Sequence, residues 1–352
     1  MLRALIVGGT GPIGRATARR LLAAGWRVDL TGRDPARLPA EIAAVGGRFV
    51  AAERGDPEQL LAALGSGADL LVDCICYTGA DATRLLPLMR EAGSTVLISS
   101  KAVYVDADGN HSNSELAPRF DGPIRETQPT MAPGAGPYTT REGYGASKVA
   151  AEQVLLDSGL PVTVLRPSKI HGAGASRPRE WVFVRRVLDR RPAVFLANRG
   201  AGVDHTTAAA NIAALIETVA VRPGRRILNS ADPDAPSALQ ISRTIARQLD
   251  HDWEEVLLDE RDEEGGELGR TPWDGPHPIV LDMTASLELG YEPVGDYAAT
   301  VADEVEWLVA AARGGEGAKH LPSLDDPFFG PLFDYAAEDR YLATHPELRV
   351  QP

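Results

Sequence analysis

Tyr144 and Lys148 stand four residues apart in Tyr144-Gly145-Ala146-Ser147-Lys148, a spacing that puts both side chains on one face of a helix. A free phenol titrates near pH ~10 and is a poor proton shuttle at neutrality. A neighbouring ammonium favours the phenolate and brings the group towards a useful range. Ser100 offers a hydroxyl from elsewhere in the chain to hold the oxygen of a reacting alcohol or carbonyl compound. The chemistry these three residues suit is proton transfer at a substrate oxygen. Tyr-x-x-x-Lys alone recurs by chance, so its weight depends on what precedes it.

What precedes it is a glycine turn, Gly8-Gly9-Thr10-Gly11-Pro12-Ile13-Gly14, between a predicted strand and a predicted helix. Both Gly9-x-Gly11-x-x-Gly14 and Gly8-x-x-Gly11-x-x-Gly14 fit. Such glycines let backbone N–H groups approach a pyrophosphate, and the helix N-terminus favours its charge. The second strand ends in Thr31-Gly32-Arg33, without the acidic residue that would bind the ribose hydroxyls of NAD. Arg33 is placed to pair with a 2′-phosphate, which favours NADP(H) and leaves NAD(H) as the alternative. Asp56, after the third strand, is placed to meet the adenine and also to cap a helix.

The elements that would carry these residues alternate as in a parallel sheet covered on both faces. Strands are predicted at Leu2 to Val7, Arg27 to Leu30, Arg48 to Ala52, Asp69 to Cys76, Thr95 to Ser99 and Val162 to Arg166. Helices are predicted from Arg15 to Ala24, closed by Gly25, and from Tyr144 to Asp157, with N-caps at Asp34-Pro35 and Asp56-Pro57. A Gly- and Pro-rich loop runs from Asp106 to Thr140. The fold expected is α/β, a Rossmann-like doubly wound parallel sheet with a smaller C-terminal substrate-binding part. Residues 1–168 form the nucleotide-binding unit in this reading. Residues 169–314 supply most of the substrate part, with segments near Ala208 to Val219 and Arg226 to Ser230 returning to the first unit. The tail, 315–352, carries Phe328, Phe329, Phe333 and Tyr335, expected to dock on the body or on a second subunit.

The 352 residues suffice for such a large α/β unit, and 44% hydrophobic with 24% charged is ordinary for a globular protein. Forty-nine acidic against 36 basic residues leave a net charge of −13, which argues against nucleic acid as partner. The acidic run from Asp250 to Glu267 reads as solvated surface. No apolar run is long enough for a membrane span and no export signal opens the chain, so a cytoplasmic location is expected. Cys74 and Cys76 lie in an apolar run and read as buried thiols, not as a disulfide or a metal site.

Gly8-x-x-Gly11-x-x-Gly14, Ser99-Ser100-x-x-Val103-Tyr104, Tyr144-x-x-x-Lys148 and Leu165-Arg166-Pro167 together resemble the motif series of extended short-chain dehydrogenases/reductases, the NAD-dependent epimerase/dehydratase group. Leu289-Gly290-Tyr291-x-Pro293 is similar to that family's C-terminal portion, so the resemblance covers roughly residues 1 to 312. It implies that Ser100 positions the reacting oxygen, that Tyr144 transfers its proton and that Lys148 also contacts the nicotinamide ribose. It further implies that Cys74, Ile75 and Pro167 line the nicotinamide end of the site. Lys101-Ala102 stands where the family's dehydratases carry Asp-Glu, which argues against water loss. Lys169 replaces the family's usual Asn and Ala201 stands near its diphosphate arginine, with Arg199 close by; both changes disfavour a nucleotide sugar. Lys169, Arg177 and Arg179 are then candidates for meeting an anionic group, and His171, in place of a tyrosine, is either a loop histidine bonded to backbone or an acid–base group. The expectation is ketone/alcohol redox chemistry on a small-molecule substrate, ahead of epimerisation and of a non-catalytic nucleotide sensor or RNA-associated protein. A homodimer is expected from the family's habit.

Overall fold

A computed structural model describes residues 1–259, 268–315 and 317–345. The chain opens with β1 (Arg3–Val7), α1 (Pro12–Ala23), β2 (Arg27–Gly32), α2 (Ala40–Ala44), β3 (Arg48–Ala51), α3 (Pro57–Leu64) and β4 (Ala68–Asp73). It continues with α4 (Gly79–Met89), β5 (Ala92–Ile98), α5 (Arg141–Asp157) and β6 (Val162–Pro167). Then follow β7 (Lys169–His171), α6 (Trp181–Leu188), β8 (Ala193–Leu196), β9 (Thr206–Ala208), α7 (Ala209–Ala220), β10 (Arg226–Ser230), α8 (Ala238–Gln248) and β11 (Glu254–Leu257). The chain closes with α9 (Thr284–Glu288), α10 (Tyr297–Thr300), α11 (Ala302–Ala312) and α12 (Tyr335–Thr344). Seven strands form one parallel sheet in the order β10-β6-β5-β4-β1-β2-β3. This is the doubly wound α/β architecture, its order reversing at β1 and β4, where ligands bind beyond the strand ends.

Side chains alternate between the two faces of each strand. Ala4, Ile6, Val28, Leu30, Leu70, Val72, Val96 and Ile98 pack with α1 and α7, while Leu5, Val7, Leu71, Leu97, Val162 and Val164 pack with α3, α4 and α5. Because both faces are covered, the strands read as continuous apolar runs. Asp29 breaks the run in β2 and is fully buried, ion-paired to Arg3 at 2.8 Å and Arg48 at 2.6 Å. Burial opposes its charge, but Arg48 and Arg3 outweigh burial and hold the carboxyl below its ordinary range.

Several boundaries differ from the sequence expectation. α1 begins at Pro12, not Arg15, because Gly11 is its N-cap and the proline ring suits the first helical position. β4 stops at Asp73, so Cys74 and Cys76 lie beyond the strand, and Cys74 is half-buried. α5 starts at Arg141 behind Thr140, whose hydroxyl accepts the Gly143 N–H at 3.0 Å. Of the acidic run ending at Glu267, the residues from Glu260 onwards lie outside the described ones. In the tail, Phe329 and Phe333 are buried against Trp181 and Phe183, while Phe328 is exposed. Glu338 on α12 pairs with Arg186 at 2.7 Å and Arg191 at 3.2 Å. Among the described residues, no helix is long and apolar enough to cross a membrane.

Of the two roles open to His171, the loop histidine bonded to backbone is not what the fold provides: the residue lies on β7 and is bonded to a carboxylate. His171 Nε2 lies 2.9 Å from Asp232 Oδ2, both fully buried, and the Asp232 Oδ1 accepts from Ala208 N at 2.7 Å and Asn211 Nδ2 at 2.9 Å. Sequence distance hid the pair, since the two residues are 61 positions apart. Burial disfavours charge on His171, yet Asp232 outweighs it and raises the imidazole above its ordinary 6.5. Burial likewise raises Asp232, but His171 and the N–H donors bring it below its ordinary 3.8. The histidine's contribution to stability is present below 6.5 and lost as pH rises through the raised value. That of the aspartate is present above 3.8 and lost as pH falls through the lowered one. Asp232→Asn is expected to cost about 3 kcal/mol. The gap in Tm between the two proteins should be widest between about pH 4 and 6.5. A gap that does not vary with pH in thermal melts would show that the pair is not ionised.

Candidate active site

The face of α5 that meets the sheet carries Tyr144, Lys148 and Glu152 at four-residue intervals. Glu152 is anchored first. It accepts from Arg166 Nε at 3.0 Å and Nη2 at 2.5 Å, and from the Ser99 hydroxyl. The Arg166 guanidinium lies 4.8 Å from the Tyr104 ring centroid, and Tyr104 donates its hydroxyl to Asn229 Oδ1 at 2.6 Å. Burial works against the Arg166 charge, but Glu152 prevails and raises the group above its ordinary range.

One turn earlier on α5, Lys148 is buried, and its Nζ donates to the carbonyls of Cys76 and Ile98, each at 2.9 Å. The same ammonium lies 4.4 Å from the Tyr77 ring centroid and 5.9 Å from that of Tyr144. The Tyr144 hydroxyl meets no hydrogen-bond partner among the described residues. Ser100 stands two residues after β5; its Oγ accepts the Ala102 N–H at 3.1 Å and starts the 3-10 turn Lys101–Val103. That turn presses against α5 at Gly145, where a Cβ would fall 2.5 Å from the Ala102 carbonyl oxygen. Gly145 therefore lets the helix bearing Tyr144 come close to the turn that Ser100 begins.

At the end of β1 the glycines divide by function. Gly8 has φ +75° and sits against Ile75; a Cβ on Gly9 would meet Leu30 at 2.7 Å; one on Gly14 would meet the Gly9 backbone at 2.5 Å. These three keep the turn tight. At Gly11 a Cβ would meet only the Gly8 carbonyl, at 3.9 Å, and so project into open space in front of α1. No side chain caps that helix, and Thr10, Gly11, Pro12 and Ile13 lead the backbone into its first turn. The cradle fits the pyrophosphate of a dinucleotide.

The other expected contacts are spread around this cradle. Arg33 is exposed with no ion pair among the described residues, while Asp34 accepts from Ala36 N at 2.9 Å. Asp56 caps α3, Oδ1 accepting from Glu58 N and Gln59 N and Oδ2 from Gln59 Nε2 at 2.7 Å. Cys74 and Ile75 follow β4, and buried Pro167 ends β6. Burial pushes the Cys76 thiol up to about 12 and Cys74 higher still. Arg177 is exposed, and Arg199 is tied to Asp259 at 2.6 Å.

Three further features of the site are assembled by the fold from residues far apart in the chain. Arg54 pairs with buried Asp73 at 2.6 Å, and Asp73 also accepts from Ile75 N at 3.0 Å, which fixes the loop beneath the glycine turn. Tyr77 stacks on Tyr138 with centroids 4.9 Å apart and covers Lys148; burial and then Tyr144 push its phenol up to about 12. Asp204 pairs with both Lys101 and Lys169. Only Asp73 carried a signal, as an acid closing an apolar run.

Residues 4–208 match the family model described as NAD dependent epimerase/dehydratase family. No curated protein sequence matches the chain. Among solved structures, the chain is similar to a UDP-glucose-4-epimerase from Stenotrophomonas maltophila with bound NAD and formylated UDP-arabinopyranose. The TM-score is 0.69 at 19% identity, over 90% of this chain and 100% of that one. It is similar also to a dTDP-glucose 4,6-dehydratase from Bacillus anthracis in complex with NAD, with TM-score 0.67 and 15% identity over 90% and 99%. At these identities the likeness is one of fold.

Two substitutions separate turn geometry from ligand binding. Gly14→Ala is expected to lower Tm by several degrees, because its Cβ collides with backbone. Gly11→Val should stay within about 1 kcal/mol of the parent stability and lose at least tenfold in nicotinamide-dinucleotide affinity by fluorescence titration. Unchanged affinity in a folded Gly11→Val protein would place the nucleotide elsewhere.

Proposed function

The chain belongs to the NAD dependent epimerase/dehydratase family and is an enzyme of the extended short-chain dehydrogenase/reductase type, and from that premise we propose that it interconverts a hydroxyl and a carbonyl group on a small-molecule substrate. In this reading residues 1–168 hold the cofactor and residues 169–314 supply most of the substrate contacts. The observation that carries it is Lys148. A buried ammonium is expensive unless it is satisfied, and here two carbonyls hold it beside a tyrosine whose hydroxyl has no hydrogen-bond partner among the described residues.

Gly8, Gly9, Gly11 and Gly14 would hold the pyrophosphate, Asp56 and its loop the adenine side, and Cys74, Ile75 and Pro167 the nicotinamide end. A bound nicotinamide supplies or accepts the hydride. Ser100 has accepted a backbone N–H, which leaves its hydroxyl hydrogen to donate to the substrate oxygen and hold it before Tyr144. Tyr144 then gives or takes the proton of that oxygen. The Lys148 charge compensates the negative charge left on the phenolic oxygen, and its two carbonyl partners keep it from swinging away. Arg33, just beyond the end of β2 and in no ion pair among the described residues, would take a 2′-phosphate, which favours NADP(H).

A second reading is epimerisation with a retained NAD, favoured by similar structures solved with NAD. The two diverge in how the cofactor is held. A reductase exchanges it every turnover, whereas an epimerase must keep it while an oxidised intermediate turns over in the site. In the proposed reading the purified protein binds NADPH at least tenfold more tightly than NADH, and Arg33→Ala removes the preference. Stoichiometric NAD released on denaturing the fresh protein would support the epimerase instead. Tyr144→Phe is expected to cut turnover of carbonyl substrates by about 10²–10⁴-fold while cofactor affinity stays within twofold. If it retains full activity, the tyrosine mechanism is wrong.

A further inference from the structure

Resting on the catalytic reading above, we propose that Lys101, Lys169 and Arg179 form a subsite for a small oxyanion of the substrate, a carboxylate or a phosphate, beside Tyr144. The three come from separate places that converge where substrates approach a doubly wound sheet, beyond the strand ends. Lys101 follows Ser100 directly, Lys169 opens β7 two residues after β6, and Arg179 precedes α6.

Their charges are unevenly matched. Asp204 is one carboxylate between two lysines: Oδ1 faces Lys101, which is 6% exposed, and Oδ2 lies 3.1 Å from Lys169. Burial and then the Arg179 charge bring Lys169 down to about 7, and burial, Lys169 and Arg179 hold Lys101 well below its ordinary range, so the three cations crowd one another. Arg179 has no ion pair among the described residues; its one hydrogen bond is Nη1 to the Ile170 carbonyl at 3.4 Å. It also stands within electrostatic reach of Glu180 and Glu304, of Tyr144, and of Lys101 and Lys169. The other acids nearby are already engaged. Glu180 lies beside Glu304 and accepts from the Tyr297 hydroxyl, and Asp274 accepts from Thr271 N at 2.7 Å and Thr271 Oγ1 at 2.9 Å. A planar guanidinium in no ion pair among the described residues, next to two lysines that share Asp204, is a ready receptor for two oxygens of an anion. The anion would lie close to the reacting carbon, because Lys101 adjoins Ser100 in the chain and Arg179 is within electrostatic reach of Tyr144. Substrates of this shape are oxo or hydroxy acids, or their phosphorylated counterparts.

Calorimetric titration of the protein, with and without NADPH, uses oxalate, inorganic phosphate and the uncharged oxamide as probes. Saturable binding is expected for oxalate or phosphate and none for oxamide; whichever anion binds more tightly names the group. Arg179→Met and Lys169→Met should each weaken the better anion at least tenfold, whereas Arg179→Lys, which keeps the charge, should stay within threefold to fivefold. NADPH affinity should not move in any of them. The proposal is overturned if neither anion saturates, if oxamide binds as well as oxalate, or if both Met variants bind as the parent does. Failure of both NADPH and NADH to bind would sink the oxidoreductase reading separately, since the anion titration is also run without cofactor.

Discussion

The alignment of the whole site hangs on one buried ion pair, Glu152 with Arg166. Taking two charges out of water costs several kcal/mol each, and the cost is recovered only if their hydrogen-bonding capacity is filled. Here Arg166 engages both carboxylate oxygens and rests on the Tyr104 ring, and Ser99 adds a further donor. The geometry permits little slippage. A helix turns about 100° per residue, so rotation of α5 by one position would carry Glu152 away from Arg166 and Tyr144 away from Ser100 together. One interaction thus sets the angular position of the helix, and Gly145 sets its distance from the turn after β5.

Around that helix the site is asymmetric. One wall is aromatic, Tyr138 on Tyr77 over the Lys148 ammonium, and so withdraws a cation from water. The other carries Asp204 between Lys101 and Lys169, with Arg179 in no ion pair among the described residues. The glycine cradle lies across the crevice, at the place where the strand order reverses. This division explains how a chain with a net charge of −13 can still present a basic face to a ligand: long-range repulsion is a property of the surface, whereas recognition depends on the few charges inside the crevice.

Most of the architecture was legible because it rests on local pattern. Leu5, Ile6 and Val7 form a run since both faces of β1 are covered, and Asp34, Asp56 and Thr140 announce helices by accepting the first free N–H groups. Gly11, Tyr144 and Lys148 could be placed on their elements from spacing alone. What escaped was pairing across long separations. His171 with Asp232, Lys169 with Asp204 and Arg54 with Asp73 are joined only by the fold, and no periodicity marks either partner. Lys101 was visible as a departure from a family pattern, but its carboxylate partner was not. Cys74 was misplaced because an apolar run does not show where hydrogen-bonded pairing stops, and β4 stops one residue before it.

The sheet order has a consequence for how the molecule is made. β10, the last strand of the seven-stranded sheet, pairs along β6, so six strands are complete in the chain by Pro167 and the seventh is not available until Ser230. At the usual ~5–20 residues per second, the nascent sheet spends several seconds with the backbone donors and acceptors of β6 unpaired on that side. An open parallel edge of Val162, Val164 and Leu165 is a template for any passing extended segment. Ribosome-bound helpers that shield extended apolar segments would matter most in that interval, and a translational pause after residue 167 would lengthen the hazard, whereas one after residue 230 would not.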